Sequence, residues 1–268
     1  KNIPVVLVNG RLSLKSYNAY LRVSWFLKSI LKMIDFIFVQ APQHRERFIH
    51  LGVKKEKIDV AGSVKFDAPG LNPQNLDLPR FILGASTHAG EEEIMLKAFQ
   101  QIDTKHTHKL FICPRHPERA REVLALANKM NFKAQLYSQL GLEQYEVCII
   151  DSIGLLPDFY QGADLAFVGG SLVPRGGHNL IEPAVLGTPI IIGKHTFNFE
   201  EITADFIKEG ACLLVHDENE LYLAMESILK DEKVRSGLKK NAKDVVELNQ
   251  GSTDTQVSYI LNILGAEH

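Results

Sequence analysis

Residues 167–183 read FVGGSLVPRGGHNLIEP. Two glycine pairs, an arginine, a histidine, an asparagine and a glutamate sit there between two apolar runs, more polar chemistry than a plain strand-to-helix turn requires. With no Cβ in the way, Gly169-Gly170-Ser171 can offer backbone N–H groups to an anion, and Gly176-Gly177 repeats the device. A helix begins near Asn179 and ends by Gly187, ahead of Pro189. Asn179 and Glu182 have the spacing of a capping box, in which the glutamate reaches back to its own cap. A start with Pro183 at the first helical position fits as well. In either phase Glu182 falls in the first turn, where its carboxylate can accept two hydroxyls. Glycine amides for phosphate and an acid for ribose suit a sugar nucleotide. The P-loop pattern GxxxxGK[ST] and the dinucleotide fingerprint GxGxxG do not occur.

Two further polar clusters each follow an apolar run. GASTHAGEEE, residues 84–93, places Ser86 and Thr87 where they can cap a helix whose first-turn N–H groups suit an anion. Simple helix initiation, with Glu91, Glu92 and Glu93 complementing the dipole, accounts for the same residues. CPRHPER, residues 113–119, holds Arg115 and His116 between two prolines that stiffen the loop. A fixed guanidinium suits phosphate or carboxylate, or it pairs with a nearby surface acid. His116 has no second ligand at a metal-binding spacing.

Rigid elements must hold these loops. Strands are expected at 5–8, 36–39, 57–60, 81–84, 109–112, 146–150, 165–168, 189–192 and 211–215. Helical patterns separate most of them, at 90–101, 118–129 and 220–229 among others. Repeated βα units make an α/β fold, a parallel sheet with helices on both faces. Ligands of such sheets bind beyond the carboxyl ends of the strands, where all three clusters lie. The stretch APGLNPQNLDL, residues 68–78, reads as a linker, so a domain boundary is expected near Asp67. Before it, one long helix at 13–33 carries Lys15, Arg22, Lys28 and Lys32 beside Tyr17, Tyr20, Trp25, Phe26, Ile30 and Leu31. That face could rest on an anionic membrane surface, or pack on the rest of its own domain.

The 268 residues are 45% hydrophobic and 23% charged, enough apolar material for one large domain or two small ones. A net charge of −2 gives no global basic field and argues against nucleic acid. Cys113, Cys148 and Cys212 lack CxxC spacing and read as buried free thiols of a reducing compartment. No apolar run reaches the ~18 residues of a spanning helix. The chain opens on Lys1, close to its first strand, as a part of a longer protein would.

GSVKFD (62–67), GASTHAGEE (84–92), PRHPER (114–119), FVGGSLVPRGGHNLIEP (167–183) and HTFNFEEI (195–202) occur in that order, after NGRLSLKSY (9–17). With this set the sequence resembles, from residue 1 to about 205, the 3-deoxy-D-manno-octulosonic acid (Kdo) transferases of lipid A and lipopolysaccharide core assembly. The resemblance implies a GT-B glycosyltransferase, inverting and independent of metal, with two Rossmann-like domains and the active site between them. In that family the C-terminal domain binds the donor CMP-Kdo and releases CMP. The N-terminal domain binds the lipid A precursor, contacts the cytoplasmic face of the bacterial inner membrane and supplies a catalytic glutamate from a glycine-rich loop. No such loop occurs here. The resemblance therefore reads 1–66 as the end of an N-terminal domain largely missing from the chain, and 67–268 as the donor-binding domain, a soluble fragment inactive by itself.

Carried over motif by motif, Glu182 would hold the ribose hydroxyls with Asn179 and His178 beside it. Gly170, Ser171, Gly176 and Gly177 would line the phosphate and Kdo pocket. Arg115, with His116 next to it, would face the CMP phosphate or the Kdo carboxylate. Lys65, Ser86 and Thr87 would help hold the acidic donor, and Ile153, Gly154, Leu155 and Leu156 would lie against cytosine. DSIGLL stands where the family has a DTMGEL-like motif, with Leu155 at the usual acid; HNLIEP replaces HNPLEP, and NGRLS replaces NARLS. Another GT-B enzyme, such as a UDP-sugar 2-epimerase, or a non-catalytic nucleotide-sugar module, would share the fold and the phosphate loops.

Overall fold

Phe36-Ile37-Phe38-Val39 has the aromatic and β-branched composition of a strand covered on both faces, and it is the middle strand of a parallel sheet. In the computed structural model, which describes residues 3–67, 70–103, 107–141 and 144–265, the chain forms two compact units. One comprises the described residues of 1–69 and 247–268, the other those of 70–246.

The first unit contains β1 (Val6–Gly10), α1 (Leu14–Leu21), α2 (Ser24–Leu31), β2 (Phe36–Val39), α3 (Pro42–His50) and β3 (Ile58–Val60), with strand order β1-β2-β3. Leu12, Leu31, Ile37, Val39, Phe48, Leu51, Val53 and Ile58 make its core. The expected helix over 13–33 is two helices. Arg22 ends the first, and Val23, at φ −120° and ψ 24°, leaves the helical region before the second. No glycine or proline marks that break, so composition could not reveal it.

The other face of β2 is covered from far along the chain. Phe36 and Phe38 meet Tyr259 with ring centroids 4.4 and 5.1 Å apart. Tyr259 belongs to α11 (Ser252–Leu264). The Asn9 N–H donates to Gln256 Oε1 at 2.8 Å, and the Asp67 carboxylate accepts from the Gly251 and Thr253 N–H groups at 2.6 Å each. The expectation of one domain over 67–268 differs from this at its C-terminal end: residues 247–265 group with the first unit, because their apolar face lies on β2.

The second unit holds β4 (Phe81–Thr87), α4 (Glu91–Gln101), β5 (Lys109–Pro114), α5 (Ala120–Lys129), β6 (Ala134–Leu136), β7 (Val147–Ile149), α6 (Leu156–Gly162), β8 (Leu165–Val168), α7 (Ile181–Val185), β9 (Ile190–Gly193), α8 (Glu200–Lys208), β10 (Leu213–Val215), α9 (Glu218–Lys230) and most of α10 (Glu232–Asn249). Its seven strands are all parallel, in the order β10-β9-β8-β4-β5-β7-β6. Successive side chains of β4 point to opposite faces. Ile82 packs with Met95, Leu96 and Phe99 of α4 and with α9, while Phe81, Leu83 and Ala85 pack with Phe159 and Tyr160 of α6. Burial on both faces is why these strands read as continuous apolar runs. β6 has no counterpart among the expected strands, because Ala134-Gln135-Leu136 is a three-residue edge strand with no apolar run.

Ala68 and Pro69 of the expected linker lie outside the described residues. The rest of it is no free spacer: Leu76 and Leu78 pack against the Phe81 cluster, and the Gln74 N–H donates to Asp158 Oδ1 at 2.8 Å. Among the described residues, no helix is long and apolar enough to cross a membrane.

Candidate functional site

β4 is the first strand of the second unit and lies inside its sheet. From it the chain steps outward to β5 and on to β6 at the edge, fills the gap with β7, then crosses back to place β8, β9 and β10 on the other side. Loops leave in opposite directions at such a reversal and open a crevice beyond the carboxyl ends of the strands. The loops after β4, β5 and β8 all emerge there. β4 runs through Thr87 rather than stopping at 84, with a register shift between Ala85 and Thr87. Ser86, at φ 52°, occupies that irregularity. The Arg115 N–H donates to the Thr87 carbonyl at 2.9 Å, so the PRHPER loop is held against the end of β4.

The turn after β8 does not present free amides. The Gly170 N–H donates to Glu91 Oε2 at 2.7 Å, and the Ser171 and Leu172 N–H groups donate to Glu91 Oε1 at 2.9 Å each. The His88 N–H donates to Glu91 Oε2 at 2.9 Å. Gly177 donates to the Gly170 carbonyl at 2.8 Å. The expected phosphate role of the Gly170, Ser171 and Gly177 amides is therefore corrected: internal acceptors already satisfy them. Ser171 is wholly buried. Its hydroxyl donates to the Val168 carbonyl at 2.5 Å and accepts from the Gly193 N–H at 2.8 Å. Thr87, also buried, donates to Glu92 Oε1 at 3.1 Å, and Glu92 pairs with Arg119 at 2.7 Å. Both hydroxyls knit the loops together.

The glycines serve close approach. A Cβ on Gly170 would lie 3.1 Å from His178 Nε2 and 3.4 Å from His88 Cδ2. A Cβ on Gly176 would lie 2.5 Å from Asn198 Nδ2, within the HTFNFEEI stretch. Asn198 in turn donates to the Arg175 carbonyl at 2.9 Å.

Basic side chains gather over this floor. His88 and His178 stack with centroids 5.3 Å apart and planes within 8°, and their Nε2 atoms are 3.0 Å apart. His116 stands edge-on to His88 at 6.0 Å. Burial, then the charges of His88, Arg115 and His116, push His178 down to about 4. His88 is lowered by burial, then by Arg175, His116, Arg119 and Arg115. Arg115 and Arg175 are exposed, and among the described residues neither has a carboxylate at ion-pair distance. The expected pairing of Arg115 with a nearby surface acid is thus not seen among the described residues. Arg115 and Arg175 thus stand beside two histidines of lowered pKa, a grouping of the kind that can receive an anion.

Asn179 Oδ1 accepts from the Ile181 N–H at 3.1 Å, and Asn179 Nδ2 donates to Glu182 Oε1 at 3.2 Å. α7 starts at Ile181, near Asn179 as expected, and not with Pro183 at its first position. Asn179 occupies one oxygen of Glu182, which is half-buried in the first turn with hydrogen-bonding capacity left. Ile153 is 85% exposed, Gly154 is exposed, and Leu155 and Leu156 lean on the Phe81 cluster. Lys65 is an exposed residue of the short turn Val64–Asp67 in the first unit. Burial pushes Cys113 up to about 11 and Cys148 and Cys212 up to about 12, as befits inert thiols. Glu91, His88 and Arg175 also lie in this cluster, and the sequence does not mark them as site residues. Dipole compensation is reason enough for the acid, and nothing in the order of residues shows that His88 and His178 meet.

Residues 92–245 match the family of glycosyl transferases group 1. The chain belongs to that family, and its parallel sheet carries arginine-bearing loops at its topological switch point. Residues 1–68 match the family described as 3-deoxy-D-manno-octulosonic-acid transferase (kdotransferase), and the chain belongs to the Kdo transferase family. It is similar to the 3-deoxy-D-manno-octulosonic acid transferase of Haemophilus influenzae, 35% identical over 94% of this chain and 62% of the relative. The transferase of Aquifex aeolicus is 33% identical over 81% of this chain and 60% of its own. The chain thus spans about three fifths of these relatives. The solved C-terminal CMP-Kdo binding domain of WaaA from Acinetobacter baumannii superposes with a TM-score of 0.60 at 32% identity, over 63% of this chain and 90% of that domain. A putative UDP-N-acetylglucosamine 2-epimerase from Listeria monocytogenes, TM-score 0.66 at 14% identity over 99% of this chain and 69% of its own, shares the fold alone.

Proposed function

We propose that this chain binds CMP-Kdo and forms the donor-binding part of an enzyme that transfers Kdo to a lipid A precursor hydroxyl at the cytoplasmic face of the inner membrane. The observation that carries the reading is the group His88, His116, His178, Arg115 and Arg175 at the β4 switch point. CMP-Kdo offers this group a phosphodiester and a carboxylate. Departure of CMP leaves more charge on its phosphate, and fixed cations stabilise that charge in the transition state. Arg115 can hold two oxygens at once through its planar fork. Glu182 takes the ribose hydroxyls on the oxygen that Asn179 leaves free. Gly176, Ser86 and His116 line the approach, and the segment 153–156 lies against the base. The base that takes the acceptor's proton is assigned to no residue of the cluster.

The transfer is proposed to use no metal; CMP affinity unchanged by EDTA is the expected result. On α1 and α2, Trp25 is 79% exposed and Met33, just beyond, 73% exposed, beside exposed Lys15, Arg22, Lys28 and Lys32. That amphipathic surface supports membrane contact. Calorimetric titration with CMP, UDP and GDP tests the donor reading. A clear preference for CMP is expected, and a preference for UDP would instead favour a UDP-sugar enzyme.

A further inference from the structure

Where two parallel strands diverge, their hydrogen-bond ladder ends and the loops beyond need another tie. The β4–β8 ladder runs to Ala85 opposite Val168, and one further bond joins the Gly169 N–H to the Ala85 carbonyl at 2.8 Å. Past that point the two loops are joined through Glu91. Its side chain is wholly buried, and its Oε2 accepts from His88 of one loop at 2.9 Å and from Gly170 of the other at 2.7 Å. Oε1 takes the next two amides, Ser171 and Leu172, at 2.9 Å each.

The residues whose amides share Oε2 are not incidental ones. His88 carries one imidazole of the anion cluster. Gly170 is the floor on which both imidazoles rest, as the 3.1 and 3.4 Å separations to its missing Cβ record. Burial drives the Glu91 carboxyl upward in pKa, and the four N–H bonds oppose that. Buried anions persist only where donors converge on them. The turn after β8 is thus an anion nest filled by the protein's own carboxylate, and a ligand anion must be met by the histidines and arginines in front of it.

We propose that Glu91 is a positioning residue: its carboxylate clamps the loop after β4 to the turn after β8 and so sets the approach of His88 to His178. Glutamine in its place would turn an NH₂ group toward two of the four N–H donors and release that half of the clamp. Aspartate is one methylene shorter, about 1.5 Å, and cannot span both loops. The inference rests on the donor reading only for its ligand readout.

The test compares wild type, E91Q and E91D in the 268-residue chain by CMP titration calorimetry, by ¹⁵N NMR titration of the histidine side chains without ligand, and by thermal unfolding. Expected for both folded variants are a loss of about tenfold or more in CMP affinity and a rise of the His178 titration toward ordinary histidine values as the two rings separate. Lower melting temperatures with wild-type CMP affinity and wild-type histidine titrations would overturn the proposal and leave Glu91 as a purely structural acid. Should wild type itself not bind CMP, the donor reading fails, and the histidine titrations still decide the clamp.

Discussion

His88 and His178 face each other with Nε2 atoms 3.0 Å apart. Two neutral rings can share one proton across that gap, one donating and the other accepting. A second proton would set like charges at contact distance, with Arg115, Arg175 and His116 nearby. The pair is therefore a poor base.

The first prediction concerns pH and stability. His178 titrates near 4 in the folded chain and near ~6.5 unfolded. Between those values the unfolded state binds more protons, so stability rises with pH across that window. The contribution is complete above ~6.5 and lost as pH falls toward 4. His178 is only half-buried, so after discounting for solvent the change is about 1–2 kcal/mol. Urea unfolding at several pH values should show this slope, and His178→Gln should flatten it.

Glu182 has one observed partner, Asn179, and one proposed duty at ribose, and a mutation can separate them. Loss of ribose contacts from a charged acceptor is worth about 1.5–3 kcal/mol, so Glu182→Ala should weaken CMP binding by roughly ten- to a hundredfold. If Glu182 merely supports Asn179 at the start of α7, the same variant would melt earlier and titrate CMP normally.

Ser171 gives the opposite expectation. Its hydroxyl bridges the Val168 carbonyl and the Gly193 N–H in a fully buried place. Ser171→Ala strands both partners, which costs about 1–3 kcal/mol. The effect should be read in thermal unfolding, and it should exceed any change in CMP affinity.

Asp67 caps the start of α11 from outside the helix. Asp67→Ala should destabilise the first unit by about 1–2 kcal/mol, the range of a lost N-cap. Burial pushes its carboxyl up, but the bonds from Thr253 and Gly251 outweigh that and leave it lowered. Its contribution is thus present above the usual carboxylate range and disappears as pH drops through the folded value. Amide exchange at Gly251 and Thr253 would report the loss directly.

Strands buried on both faces, such as Phe81–Thr87 and Leu165–Val168, were legible because a short, unbroken apolar run between turn residues suits a covered parallel strand and little else. The three polar loops were legible because parallel sheets place loops and ligands at one end. What stayed hidden depends on contacts between distant residues. Nothing local distinguishes Glu91 from Glu93, yet one is wholly buried and the other is an exposed partner of Lys97. The glycines of 169–177 suggested amides open to phosphate, because sequence shows which backbone can approach an anion and not which anion already occupies it. The break at Val23 and the edge strand Ala134–Leu136 leave no compositional mark either.

The ties from Asn9 to Gln256 and from Asp67 to Gly251 bear on how the chain is made. A ribosome delivers residues in order, and contiguous stretches fold as they emerge. Residues 70–246 form an unbroken block and can complete their sheet during synthesis. The sheet of β1, β2 and β3 must wait, its Phe36 and Phe38 uncovered, until Tyr259 has left the exit tunnel. The sheet of β1, β2 and β3 is thus finished after residues 70–246, which follow it in the chain.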